Sequence, residues 1–231
     1  MNKNTCCGVR SFSVFGLFSL VGLSVAAVLL LGGCAGTRWD EYHFSGEEVL
    51  FSSDFSGEEL PPEIGHLYNA THSNGMIHSL APRDNVSEWR VETPVPRNSW
   101  ISFRMKIGRE VNPYHHLSMN FYLFHVHSPE RAMSFNFSTK HGLVYYEVVG
   151  DSWRQRALSD QNAKAEEWQR IDLIIESEHV IVFVDGARLA RTRIPSSVPE
   201  WGFFTIATHN ELWVDELTIV RYGAYEVARR D

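Results

Sequence analysis

Apolar and polar residues alternate along most of the chain. Within residues 100–107, read as Trp-Ile-Ser-Phe-Arg-Met-Lys-Ile, the odd positions are apolar and the even ones mostly polar. Met133, Phe135 and Phe137 alternate in the same way with Ser134, Asn136 and Ser138, and Val144, Tyr146 and Val148 continue the pattern. A period of two predicts strands with one buried and one wet face. Further apolar runs occupy residues 171–176, 180–184, 203–208 and 212–220. Turn residues fall between these runs: Asn74-Gly75, Gly142, Asp185-Gly186 and the Pro195 to Pro199 segment. Asp-Gly between two apolar runs is a hairpin signal, because its tight turn needs residues with positive φ. A helical turn is predicted only within residues 158–168. The pattern closes most naturally as an all-β, two-sheet antiparallel jelly-roll sandwich of about a dozen strands.

The N-terminus follows a different pattern. Lys3 and Arg10 precede an uncharged apolar run over residues 11–31, the layout of a secretory signal helix. The run is also long enough for a retained membrane-spanning helix. Leu31-Gly32-Gly33-Cys34 closes it and resembles the lipobox of bacterial lipoproteins. That resemblance implies cleavage before Cys34, a diacylglycerol on its thiol, and, with no Asp following, an outer-membrane address. Several acyl chains would anchor stably where one binds only marginally. The organisation expected is a lipoprotein signal peptide over 1–33, a polar tether over 34–47, one sandwich over 48–222 and a tail over 223–231.

Composition narrows the partners. The chain of 231 residues is 44% hydrophobic and 13% aromatic, which suits a globular core and excludes a wholly disordered chain. All three cysteines lie within the first 34 positions, so neither a disulfide nor a cysteine-rich zinc site can staple the domain. Removing the two N-terminal positive charges from the net −7 leaves −9 for residues 34–231. Phosphate neutralisation needs clustered Lys and Arg, so no nucleic-acid partner is expected. There is no Walker loop, no Gly-x-Gly-x-x-Gly and no Gly-x-Ser-x-Gly elbow. No cofactor is expected.

The C-terminal half carries an ordered set of features: Trp168-Gln169-Arg170-Ile171, Val184-Asp185-Gly186, Trp201-Gly202-Phe203-Phe204 and Trp213-Val214-Asp215-Glu216-Leu217. This order resembles the concanavalin A-like lectin/glucanase superfamily, which includes laminin G-like sandwiches. The early Leu50-Phe51-Ser52-Ser53-Asp54-Phe55 segment is similar to the first strand of its 3-keto-disaccharide hydrolase-like subgroup. The resemblance covers most of residues 48–222 and implies the jelly-roll fold. It leaves the ligand open, since one fold hosts many functions.

The candidate chemistry is saccharide recognition, in which aromatic faces stack on pyranose C–H groups while amides, carboxylates and Arg bond hydroxyls. His125 and His127 form a His-x-His pair on a strand predicted over 119–127, able to line a sugar cleft or chelate a metal. A metal would need further ligands, and none is assigned. Asn136 faces away from Met133, Phe135 and Phe137, with Arg131 near the strand start. Tyr145 and Glu147 lie opposite Val144 and Tyr146, and Trp153 and Arg154 follow in a loop or short strand. These eight residues are the candidate ligand-binding set, and Cys34 is the lipidation site. Trp89, Trp100, Trp168, Trp201 and Trp213 are expected to fill the core. No Glu has an Asp two positions later, so the paired carboxylates of laminarinase-type hydrolases are not expected.

The leading expectation is an outer-membrane lipoprotein whose sandwich binds a glycan or polysaccharide without catalysis. A glycoside hydrolase or lyase of the keto-disaccharide type and a structural envelope protein are the alternatives.

Overall fold

The computed structural model describes residues 42–82, 85–126, 132–149 and 152–227, so Cys34 and the signal segment lie outside the described residues. These residues form strands and no helix. The first six strands are β1 (Tyr42–Ser45), β2 (Glu48–Ser53), β3 (Ile64–Tyr68), β4 (Ala70–Ser73), β5 (Met76–Leu80) and β6 (Ser87–Pro96). Next come β7 (Ser99–Ile107), β8 (Ser118–His125), β9 (Met133–Ser138), β10 (Gly142–Val149), β11 (Ser152–Ser159) and β12 (Trp168–Ile175). The chain closes with β13 (His179–Val184), β14 (Ala187–Arg193), β15 (Trp201–Thr208), β16 (Glu211–Arg221) and β17 (Ala224–Val227).

Two antiparallel sheets face each other. One runs β11-β10-β9-β8-β15-β6-β3; the other runs β14-β13-β12-β7-β16-β5-β4, with β2 also on β16. The alternating apolar residues fill the space between them. Phe121 stacks on Phe135 with ring centroids 4.9 Å apart, and Phe103 of β7 meets Phe204 of β15 across the layer at 5.5 Å. All four are fully buried. Removing each from water contributes about 1.5–3 kcal/mol, which is why the period-two pattern dictates the sandwich. The Asp185-Gly186 hairpin between β13 and β14 forms as predicted, with φ of 49° and 74°.

Four features differ from the sequence reading. Among the described residues seventeen strands form, fifteen of them in the two sheets, where a sandwich of about a dozen was expected. The helical turn expected within 158–168 is instead the end of β11, a loop and the start of β12, with Ala165 bridging Ile107. The segments read as tether and tail each supply a strand, since β1 pairs with β17. Aromatic residues explain that pairing: Phe44 and Tyr225 pack on Trp100, Ile174, Ile181, Phe183 and Tyr222, covering an apolar patch outside the second sheet. Finally, only Trp89 among the five tryptophans assigned to the core is fully buried. Trp168 and Trp213 lie on the outer face of the β7-containing sheet, with the Lys106 ammonium 5.4 and 4.4 Å from their ring centroids and His78 stacked on Trp213 at 4.9 Å. Trp201 is 48% exposed.

Candidate functional site

The outer face of the β11-to-β3 sheet gathers polar side chains because Met133, Phe135 and Phe137, with Met119, Phe121 and Leu123, claim the inner one. Strand register lines the remaining residues up in rows. One row runs Gln155, Tyr146, Ser134, Tyr122, Thr205, Arg90 and Gly65 across seven adjacent strands. The next includes Asn136, Asn120 and Glu88, and the Asn136 side-chain amide donates to Asn120 Oδ1 at 2.8 Å. That bond leaves further amide donors and acceptors on both residues for a ligand.

Imidazoles crowd one end of the face. His115 stacks on His209 with centroids 3.9 Å apart, and His116 meets His141 edge-on at 4.8 Å. Buried Asn210 positions the loop that carries His115 and His116. Its amide donates to the carbonyls of His115 (3.3 Å) and His116 (3.1 Å), while its Oδ1 accepts from the backbone of Val111 and Asn112 at 3.0 Å each. The four imidazoles, Asn120, Asn136 and Tyr146 line a cavity of about 210 Å³. Burial pushes the His209 pKa down, opposed by its hydrogen bond to the Asn85 carbonyl. Among the described residues, no group of three His, Cys, Asp or Glu side chains is arranged to hold a metal ion.

Aromatic rings mark the other end. His125 lies 3.3 Å from Thr205 Oγ1 and its ring is 5.7 Å from that of Tyr122. Phe203 pairs with His125, carries the Arg90 guanidinium 4.8 Å above its ring, and meets exposed Trp201 edge-on at 6.2 Å. Burial lowers the His125 pKa, with nearby Glu88 opposing, so the imidazole is neutral at neutral pH. Burial raises the Tyr122 pKa, reinforced by the Glu88 charge, so its hydroxyl stays protonated. Around His125 the face therefore offers neutral donors, neutral acceptors and ring surfaces, with Glu88 and the Arg90–Glu92 ion pair (2.8 Å) as charged neighbours. That chemistry suits a hydroxyl-rich, ring-shaped ligand.

The sequence-predicted residues divide. His125 and Asn136 stand on this face. Tyr145 and Glu147 do not, because the turn at Gly142 sets Leu143 opposite Phe137 and Tyr145 opposite Phe135, which turns these alternate residues inward. Tyr145 is buried against Phe135 at 5.3 Å, and its hydroxyl pKa is pushed up to about 12 by burial and by Glu147. Trp153 and Arg154 belong to strand β11 and pair with Val148 and Glu147; Arg154 is exposed. The strand predicted to reach His127 ends at His125, and His127 and Arg131 lie outside the described residues. Sequence reasoning missed Asn120, Tyr122, Tyr146, Arg90 and Trp201. Asn120 and Tyr122 alternate with Met119, Phe121 and Leu123, so the rule that selected Asn136 also selects them. Arg90 and Trp201 become visible only through the pairing of β15 with β6 and β8.

Comparison with known proteins agrees with this architecture. Residues 64–220 match the family model of the 3-keto-alpha-glucoside-1,2-lyase-like domain. No curated protein matches the chain in sequence. Among solved structures, the endo-beta-1,3-glucanase from Pyrococcus furiosus is similar at a TM-score of 0.56 and 11% identity, covering 80% of this chain and 99% of that one. A Bacillus subtilis protein of unknown function with a galectin-like fold is similar at a TM-score of 0.53 and 10% identity, covering 82% and 100%. A structure from work on endo-acting O-glycanases expressed by human gut microbiota reaches a TM-score of 0.58 at 13% identity, covering 76% and 100%. At these identities the likeness establishes a concanavalin A-like sandwich and nothing of its ligand.

Proposed function

The chain belongs to the family of 3-keto-alpha-glucoside-1,2-lyase-like domains, and from that premise we propose that it binds carbohydrate on the outer face of its β11-to-β3 sheet. The observation that carries the reading is the row of Tyr146, Ser134, Tyr122, Thr205 and Arg90 beside the Asn120–Asn136 pair. Tyrosine and histidine rings offer surfaces for pyranose C–H groups, and the amides and hydroxyls match a sugar's alternating donors and acceptors. The binding protein is held at the bacterial outer membrane through lipidated Cys34, a reading supported by the apolar run and Leu31-Gly32-Gly33-Cys34. A glycan array followed by titration calorimetry tests recognition. Binding of at least one glycan class, weakened about tenfold or more by Asn136→Ala or Tyr146→Ala, supports it; uniform silence on the array refutes it. Loss of fatty-acid labelling in Cys34→Ser tests the anchor.

One observation favours a second reading. His125 is a neutral imidazole beside protonated Tyr122 and near Glu88. A 1,2-elimination from a 3-keto-glucoside takes the acidic C2 proton, expels the C1 oxygen substituent and leaves a C1–C2 double bond, so it needs such a base. Incubation with a 3-keto-α-glucoside separates the readings. Release of the aglycone that is lost in His125→Gln supports elimination, and an unchanged substrate leaves recognition alone.

A further inference from the structure

A second cleft opens where β10 and β11 approach the turn after β12 and the segment joining β14 to β15, with a volume of about 520 Å³. It is built from different residues than the outer face and contains three guanidiniums: Arg97, Arg156 and Arg193.

Two of these are held in place before any ligand arrives. Arg97 lies with its guanidinium 4.7 Å above the Phe124 ring and donates to the carbonyls of Ser177 (3.1 Å), Val198 (3.1 Å) and Pro199 (3.2 Å). Neutral carbonyls do not cancel its charge. The nearest carboxylate, the largely exposed Glu200, stands 3.9 Å from Nε, and that buried Nε–H has no hydrogen-bond partner. Burial accordingly works against the charged form of Arg97, and Glu200 offsets this only in part. Arg156 rests 5.4 Å above the Tyr145 ring and donates to Thr192 Oγ1. Among the described residues, Arg156 and Arg193 make no ion pair with a carboxylate.

We propose that this cleft binds a saccharide carrying an oxyanion, a carboxylate or a sulfate ester, at a site distinct from the outer face. Guanidiniums grip planar or tetrahedral oxyanions through forked donors, and pre-ordering lowers the entropy lost on binding. The cleft also contains Glu147 and Glu178, and with Glu200 these carboxylates would repel a bare anion. They suit the hydroxyls of a sugar ring, which donate to carboxylates, as Ser177 and Ser196 suit its ring and glycosidic oxygens. A mixed lining of three cations and three anions therefore fits an acidic sugar better than an inorganic ion or a neutral chain.

The test is titration calorimetry on the full-length chain in detergent with four probes: tetragalacturonate, a sulfated carrageenan tetrasaccharide, maltotetraose and sodium sulfate. The expected result is binding of one acidic tetrasaccharide at least tenfold tighter than of maltotetraose or sulfate. Which acidic probe binds distinguishes carboxylate from sulfate ester. The Arg156→Gln/Arg193→Gln variant, both positions exposed and its fold checked by thermal melting, should lose at least tenfold in that affinity. Equal affinity for acidic and neutral probes, sulfate binding as tightly as the sugars, or no binding overturns the proposal. So does acidic-sugar binding that survives the double Arg variant, or that falls instead with Asn136→Ala, which would return the ligand to the outer face.

Discussion

A close backbone approach beside the outer face lies at Gly202. Phe124, held at φ 61°, passes so near that a methyl added at Gly202 would sit 2.3 Å from its Cα and carbonyl carbon and 2.6 Å from its oxygen. Ordinary contact begins near 3.4 Å, and the obstacle is main chain in a paired strand, so no rotamer change relieves it. Gly202→Ala should therefore sit at the upper end of overpacking costs, about 3 kcal/mol. For a domain of this size that lowers Tm by about 6–12 °C. The displacement falls on the end of β8, so His125 and its partner Phe203 shift with it and glycan affinity drops as well. Gly57→Ala is the control, because its added methyl meets nothing closer than the Glu59 carbonyl at 3.4 Å. Differential scanning fluorimetry on the two variants decides the matter. A Gly202→Ala melt within about 2 °C of the parent would refute the steric argument.

Other outcomes follow from burial and charge. Trp89→Ala, at a fully buried position, should cost about 3–5 kcal/mol, whereas Trp201→Ala should cost under about 1 kcal/mol; equal losses in denaturant melts would contradict the placement of the two rings. Phe44→Ala should cost about 2 kcal/mol and raise binding of a hydrophobic dye by uncovering Trp100 and Phe183, while an unchanged melt would show the β1–β17 ribbon to be idle. His125 and His209 are held below the usual imidazole pKa of 6.5, so below that pH the unfolded chain binds more protons than the folded one. Their contribution makes stability fall as pH drops through about 6.5 toward the folded-state values. Melts at pH 7.5 and 5.5 should differ in that sense, and the difference should shrink in His125→Gln/His209→Gln; a double variant with the parent's pH dependence would rule this out.

The fold was legible because the burial free energy that forms it is written as alternation. Met133, Phe135 and Phe137 announced an inner face, and Asp185-Gly186 announced a hairpin. The site was legible only where one strand's alternation was unambiguous, as at Asn136. In Leu143-Val144-Tyr145-Tyr146 four consecutive residues can pack inward, and only the register set by Gly142 and Phe137 shows that Tyr145, not Tyr146, packs against Phe135. Phe44, Trp100 and Tyr225 form a satellite core from segments distant in sequence, which no local pattern announces. Arg97 is a similar case: its three carbonyl acceptors lie 80 to 102 positions away.

Nuclear magnetic resonance with a glycan selected on the array tests the central claim most directly, since indole and side-chain amide signals report on each face separately. The account predicts that the Asn120 and Asn136 amides and the Trp201 indole shift on titration, while the Trp168 and Trp213 indoles on the opposite sheet stay still. Shifts confined to Trp168 and Trp213 would place the sugar on the wrong side of the sandwich and contradict it.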